Sequence, residues 1–198
     1  MKKSNLLCAL GACVLALLTT TINAEVLPLE GRLETSPGSG VYLAWYDPNL
    51  NITWSANADI NGSGNWVNQV AGAAGLTIGC VGGWRLPSAD VNGDGTVVDC
   101  TGGGVIGCED NEMGYLYWEE GITGSSPGPF SSLQSTNYWS GTEYDSTFKW
   151  LFNFNIGSQV AGHMDAGIYS WAVHPGDISP VVSPRGDMNG DGNVDAGD

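Results

Sequence analysis

Two acidic stretches carry oxygen-bearing side chains at the spacing that wraps a hard cation. The first is Asp187-Met-Asn189-Gly-Asp191-Gly192-Asn193-Val194-Asp195-Ala-Gly-Asp198. A twelve-residue calcium loop draws oxygens from positions 1, 3 and 5, a backbone carbonyl at 7, a water held by 9 and a carboxylate at 12. Those positions fall on Asp187, Asn189, Asp191, Asn193, Asp195 and Asp198, with Gly192 at the sharp turn of position 6 and Val194 as the apolar residue beneath the loop. The second stretch, Asp90-Val-Asn92-Gly-Asp94-Gly95-Thr96-Val-Val-Asp99, repeats the same start. Its position 12 is Thr101, so the closing acid must come from elsewhere: from Asp99, or from Glu109 and Asp110 if a disulfide draws them near. The inner metal set is therefore Asp90, Asn92, Asp94, Thr96 and Asp99, and the cofactor expected at both loops is Ca²⁺. An acidic turn held by its own Asx hydrogen bonds is the alternative for the inner loop.

The tail motif, Asp-x-Asn-x-Asp-Gly-x-Val-Asp-x-x-Asp with Asp rather than Glu at its end, is an EF-hand-type loop and resembles the first half of a dockerin type I repeat. The resemblance implies calcium binding and, if the repeat is completed by a helix and a second loop, docking onto a cohesin-type partner in a polysaccharide-degrading assembly.

Catalytic patterns are weaker. Gly124-Ser-Ser126-Pro-Gly128 fits the letters of a nucleophile elbow, with Asp145 or Asp165 and then His174 in hydrolase order. An elbow needs a strand before the serine and a helix after it, and two flanking prolines make this a loop. Glu112, Glu119 and Glu120 could pair as acid and base, but at these positions they read as a solvated helix face. His163 and His174 lack metal spacing. No catalytic residue is assigned.

Three cysteines lie beyond the N-terminal leader. Cys100 and Cys108 bound a glycine-rich loop whose ends close easily, and they are the favoured disulfide; Cys80–Cys100 is the alternative. Lys2 and Lys3 followed by an apolar run to Leu18 and a small residue at Ala24 read as a secretory signal. Leu10-Gly-Ala-Cys13 is similar to a lipoprotein processing site, although the apolar run continues past it. The expected location is secreted, periplasmic or cell-surface. Removal of Lys2 and Lys3 takes the formal net charge from −15 to about −17. Such a field repels nucleic acid, anionic lipid and sulfated polysaccharide, and favours divalent cations and neutral partners. No later segment has the run of roughly 18 apolar residues that spans a membrane.

The elements that must position these groups follow from periodicity. Residues 25–40 read as a lead-in and residues 41–46 and 51–54 as a hairpin. Helices are expected at 66–74 and 111–119, and strands at 138–140, 147–154 and 168–173. Residues 179–186 form a linker to the tail loop at 187–198. Within residues 41–178, Gly-Gly-Trp84-Arg85-Leu-Pro-Ser, Asn-Glu-Met-Gly-Tyr-Leu-Tyr at 111–117, Tyr-Trp139-Ser-Gly-Thr-Glu143, Trp150-Leu-Phe-Asn-Phe and Trp171-Ala-Val stand in an order that resembles the Lcl C-terminal domain family. The resemblance implies an α+β, loop-rich single domain similar to C-type-lectin-like and formylglycine-generating-enzyme-like folds, with short helices and a twisted antiparallel sheet. It also implies surface adhesion through sulfated glycans on basic patches, which an acidic chain does not offer. Read physically, Trp84, Trp139, Trp150 and Trp171 are core anchors, and Arg85 is a semi-buried guanidinium needing a carboxylate, for which Glu143 is the candidate. The function expected is a secreted, calcium-binding, non-catalytic recognition module for carbohydrate or a cell-surface glycan. A component of a polysaccharide-degrading system and a structural surface protein are the alternatives.

Overall fold

The computed structural model describes residues 25–178. The leader at 1–24, the linker at 179–186 and the tail loop with Asp187, Asn189, Asp191, Asn193, Asp195 and Asp198 lie outside the described residues. The architecture is mixed α+β, mostly strands with two short helices. Among the described residues no helix is long and apolar enough to cross a membrane.

Two sheets form in place of the single antiparallel sheet expected. The first contains β1 (Glu30–Glu34), β2 (Tyr42–Asp47), β3 (Ile52–Ser55) and β9 (Val173–Pro175) in the order β1-β2-β3-β9, antiparallel throughout. The hairpin β2–β3 is the one that aromatic and β-branched residues broken at Asp47-Pro48-Asn49 announce. The lead-in, by contrast, contains a strand: Glu30–Glu34 pairs with β2 in register Arg32↔Ala44. Arg32 clamps that strand to the far end of the domain through Asp177, at 2.6 Å from Nε.

The second sheet contains β4 (Ser63–Gly64), β5 (Asn137–Glu143), β6 (Phe148–Asn153), β7 (Ser158–His163) and β8 (Ile168–Ser170), ordered β4-β8-β5-β6-β7. Its β5–β8 pair is parallel, because β8 returns to β5 from beyond the β6–β7 hairpin instead of turning directly back on it.

Helix α1 (Trp66–Ala74) starts where Asn65 accepts a hydrogen bond from the Asn68 amide and stops at Gly75, the cap signals its sequence carries. Helix α2 (Glu112–Trp118) is capped by Asn111, whose side chain accepts from the Gly114 amide at 3.1 Å. Trp54, Trp139 and Trp171 are fully buried and Trp84 is 2% exposed, so each ring removes a large apolar surface from water, the dominant favourable term in folding. Trp150 departs from that pattern. It lies half-buried on the outer face of β6 against Tyr144, with ring centroids 5.0 Å apart.

Candidate metal centre and the cavity beside it

The Trp84-Arg85-Leu86-Pro87 segment crosses the end of the first sheet and bridges to β9 through Arg85 N–Val173 O (2.8 Å) and Val173 N–Arg85 O (2.9 Å). The guanidinium then reaches α2. Its Nη1 donates to Glu112 Oε2 at 2.8 Å and to the Leu86 carbonyl, and its Nη2 donates to Glu112 Oε1 at 2.5 Å. Glu112 Oε2 also accepts from the Ser88 amide at 2.6 Å. The partner of Arg85 is therefore Glu112, not Glu143. Glu112 is buried, not on a solvated helix face, because the first turn of α2 packs directly under segment 85–88. Glu143 pairs instead with Lys149, at 2.6 Å from Nζ.

Downstream of this pair the chain leaves the core as the acidic loop. Asp90 gathers it: Oδ1 accepts from the Gly93 and Asp94 amides and Oδ2 from the Gly95 amide at 2.9 Å. Asn92 Oδ1 accepts from the Asp94 amide and Asp94 Oδ1 from the Thr96 amide. Gly93 and Gly95 supply the left-handed backbone that this tight wrap needs, at φ 72° and 83°.

A third carboxylate reaches the loop from across the disulfide. Cys100 and Cys108 are bonded, with Cα atoms 5.4 Å apart, and Cys80 is free and exposed. The bridge leads straight into the single 3-10 turn Cys108–Asp110, which carries Asp110 back under the loop. Asp110 Oδ1 accepts from the Asn92 amide at 2.7 Å, and its carbonyl accepts from the Val91 amide. A carboxylate oxygen from each of Asp90, Asp94 and Asp110 lies within 4.8 Å of the others. Asp110 is buried, and its Oδ2 has no hydrogen-bond partner. Asp99 is not part of this group. Its carboxylate is spent on the Thr101 hydroxyl and amide, which hold its pKa below the usual range. Thr96 and Asn92 do line the same pocket, a space of ≈300 Å³.

Three carboxylates this close repel one another unless a cation or protons neutralise them. A buried acceptor without a donor costs roughly 1–3 kcal/mol. An all-oxygen set of carboxylates is the donor type that hard divalent ions take. The group can hold a metal ion.

A second, larger cavity of ≈570 Å³ adjoins the loop. Trp66, Val70 and Ala74 of α1 form one wall, and Arg85, Thr142 and Asp90 contribute polar groups. Asp90 and Val91 line this cavity, and Val91 lines the metal pocket as well.

The remaining sequence candidates do not assemble. Ser126 sits in a tight turn bridged to Thr123, with no helix after it. His163 is exposed on β7, and His174 stacks edge-on against Trp84. One feature escaped sequence reasoning altogether. Glu120 is pressed against the buried Asp47, and burial followed by the Asp47 charge pushes its pKa up to about 8. Nothing in the spacing of residues 47 and 120 signals that meeting. No protein-family model matches the chain, and no curated protein is significantly similar to it.

Proposed function

We propose that this chain is a secreted, calcium-binding, non-catalytic recognition module with a C-type-lectin-like domain of the Lcl type, acting on carbohydrate or a cell-surface glycan. The observation that carries the reading is the Asp110 side chain. It is buried beneath an Asp-x-Asn-x-Asp-Gly loop, within reach of Asp90 and Asp94, and it keeps one oxygen without a donor. Calcium supplies the missing positive charge, ties Asp110 to the loop, and orders a glycine-rich excursion with little apolar content of its own. Recognition without chemistry is supported by the carboxylates themselves, since the first acid of α2, Glu112, is consumed by Arg85 and the Ser88 amide.

Calorimetry on the full chain tests this. Two calcium ions per chain are expected, one at the inner loop and one at the tail loop, with Kd values toward the 10⁻⁴–10⁻³ M typical of extracellular modules. Asp90→Ala with Asp110→Ala should remove one ion, and Asp187→Ala with Asp191→Ala the other. An unchanged stoichiometry in the first pair of substitutions rejects the inner site.

A further inference from the structure

We propose that the cavity beside the acidic loop binds a neutral, hydroxyl-rich ligand of one or two pyranose rings, and that ligand and cation occupancy are coupled through Asp90 and Val91. The inference rests on the cation reading above and adds a site, a ligand class and a linkage to it.

Size comes first: ≈570 Å³ falls within the roughly 300–1,000 Å³ of small-molecule sites. The apolar wall is rigid. Trp66 Nε1 donates to the Ser140 carbonyl at 2.8 Å, and the Lys149 ammonium sits over its ring at 4.8 Å from the centroid. Lys149 is itself buried and held by Glu143 and by the Asp145 carbonyl at 2.8 Å. Turning the indole would break these contacts together, so little ordering entropy is lost when a ligand arrives. With its N–H already used, Trp66 has only ring surface to give, which suits the C–H face of a sugar ring.

The polar side is rich in donors. A guanidinium has five N–H groups, and Arg85 commits two from Nη1 and one from Nη2 to Leu86 and Glu112. The Nε–H and the second Nη2–H have no protein acceptor among the described residues. They share one edge of the planar group, a fork that matches two neighbouring acceptor oxygens. The Ser88 and Thr142 hydroxyls lie 3.3 Å apart, and each accepts a backbone N–H, from Asp90 and Ala89 respectively. Their two hydrogens have one mutual contact to fill, so one hydroxyl proton is left to donate.

Charge then selects among acceptors. Glu112 already neutralises Arg85, and Asp90 adds a negative wall, so a sulfate or carboxylate finds no net cation here. Vicinal hydroxyls satisfy the same fork without that penalty. The coupling follows from the shared segment. A cation that draws Asp90 toward Asp110 also fixes Val91 and Asn92, whose amides bond to Asp110, and thereby sets the cavity wall. By linkage, ligand and cation then strengthen each other's binding equally.

The test uses the full chain on an array of gluco-, manno-, galacto- and xylo-oligosaccharides alongside heparin and chondroitin sulfate fragments, each in millimolar calcium and in chelator. Ala74→Phe serves as the blocking variant, since Ala74 is exposed at the end of α1 and lines the cavity without using its side chain for any hydrogen bond. Binding of at least one neutral oligosaccharide is expected, about fivefold or more weaker in chelator and lost in Ala74→Phe, while calcium stoichiometry stays as in the parent. Binding of the sulfated fragments alone, or neutral binding that survives Ala74→Phe, overturns the site. Neutral binding blocked by Ala74→Phe but indifferent to chelator overturns the coupling. Calcium uptake with no neutral ligand on the array overturns the cavity proposal and leaves the cation site standing.

Discussion

Arg85→Ala should destabilise the domain more than Glu112→Gln, although both remove the same ion pair. The asymmetry comes from burial: the Glu112 side chain is 2% exposed and the Arg85 side chain 36%. Without Arg85, a buried carboxylate keeps only the Ser88 amide at 2.6 Å. Leaving such a charge uncompensated costs about 3–5 kcal/mol, and the neighbouring cavity, which admits water, places this case near 3. Without the Glu112 charge, the guanidinium rehydrates from its exposed side and keeps the Leu86 carbonyl, while Gln retains the shape of Glu and an acceptor for Ser88. That loss is about 1–2 kcal/mol, the range of a single hydrogen bond. For a domain of this size each kcal/mol moves Tm by about 2–4 °C, so Arg85→Ala should melt about 6–12 °C lower and Glu112→Gln only a few degrees lower. Circular dichroism melts and urea titrations at fixed calcium read the difference, and an unchanged m-value guards against a shift in the unfolded state. The double variant should recover part of the Arg85→Ala loss, because the stranded carboxylate is gone. A Glu112→Gln variant as unstable as Arg85→Ala would refute the reasoning, for it would make the arginine the group that the fold cannot leave unpaired.

Three further outcomes are expected. Calcium at a hundredfold excess over the Kd of the inner loop should add about 2.7 kcal/mol to the folded state through that site, raising Tm by about 5–11 °C; this contribution should vanish in Asp90→Ala with Asp94→Ala, and an identical calcium shift in that variant would count against the loop. Replacing Cys100 and Cys108 by Ser should weaken inner-loop calcium binding as well as lower stability by about 2–4 kcal/mol, since Asp110 reaches the loop through that bridge; parent-like affinity in the reduced or substituted protein would contradict this. Glu120, raised from 4.5 to about 8 by burial and the Asp47 charge, should contribute stability that is fully present below about pH 4.5 and is lost as pH rises through 8; urea midpoints that fall across this window in the parent and flatten in Glu120→Gln would bear this out, and parallel curves would not.

Local signals made much of this domain readable in advance. Apolar residues at helical spacing over 66–74 with Gly75 after them marked α1, its Asn65 cap emerging only in the structure, and aromatic and β-branched residues broken at Asp47-Pro48-Asn49 marked the β2–β3 hairpin. The disulfide was legible because the glycines between Cys100 and Cys108 leave the closing ends free. Three strands were not. Glu30–Glu34 and the two-residue Ser63–Gly64 carry no β-branched residue, and Ser158–His163 has one valine; all three are edge strands held by pairing to a neighbour rather than by propensity. Tertiary choice was the other blind spot. Glu112 and Glu143 are equivalent carboxylates by type, and only the packing of α2 under segment 85–88 decides which one meets Arg85. The same holds for Asp110, which the sequence offers only as one of several stand-ins for the absent twelfth ligand.

The fixed positive charges show how this acidic domain spends what it has. Among the described residues they are Arg32, Arg85 and Lys149, and each is engaged. Arg32 holds the first strand to Asp177. Arg85 is joined to Glu112 and forms one wall of the larger cavity. Lys149 is buried under Glu143 and pins the Trp66 ring that lines the same cavity. In each of the two cavity pairs one member is buried and the other is partly or largely exposed, so both pairs serve placement more than affinity for an anion. A surface that gathers sulfated glycans needs several cations free to exchange their counterions, and this one has committed every cation in the described fold to architecture. What remains available to a ligand is an indole face, a partly used guanidinium edge and a hydroxyl pair, next to a loop of carboxylates that can hold a metal ion. In the proposed site that combination would discriminate by shape and hydrogen bonding, and would make net charge a reason for rejection.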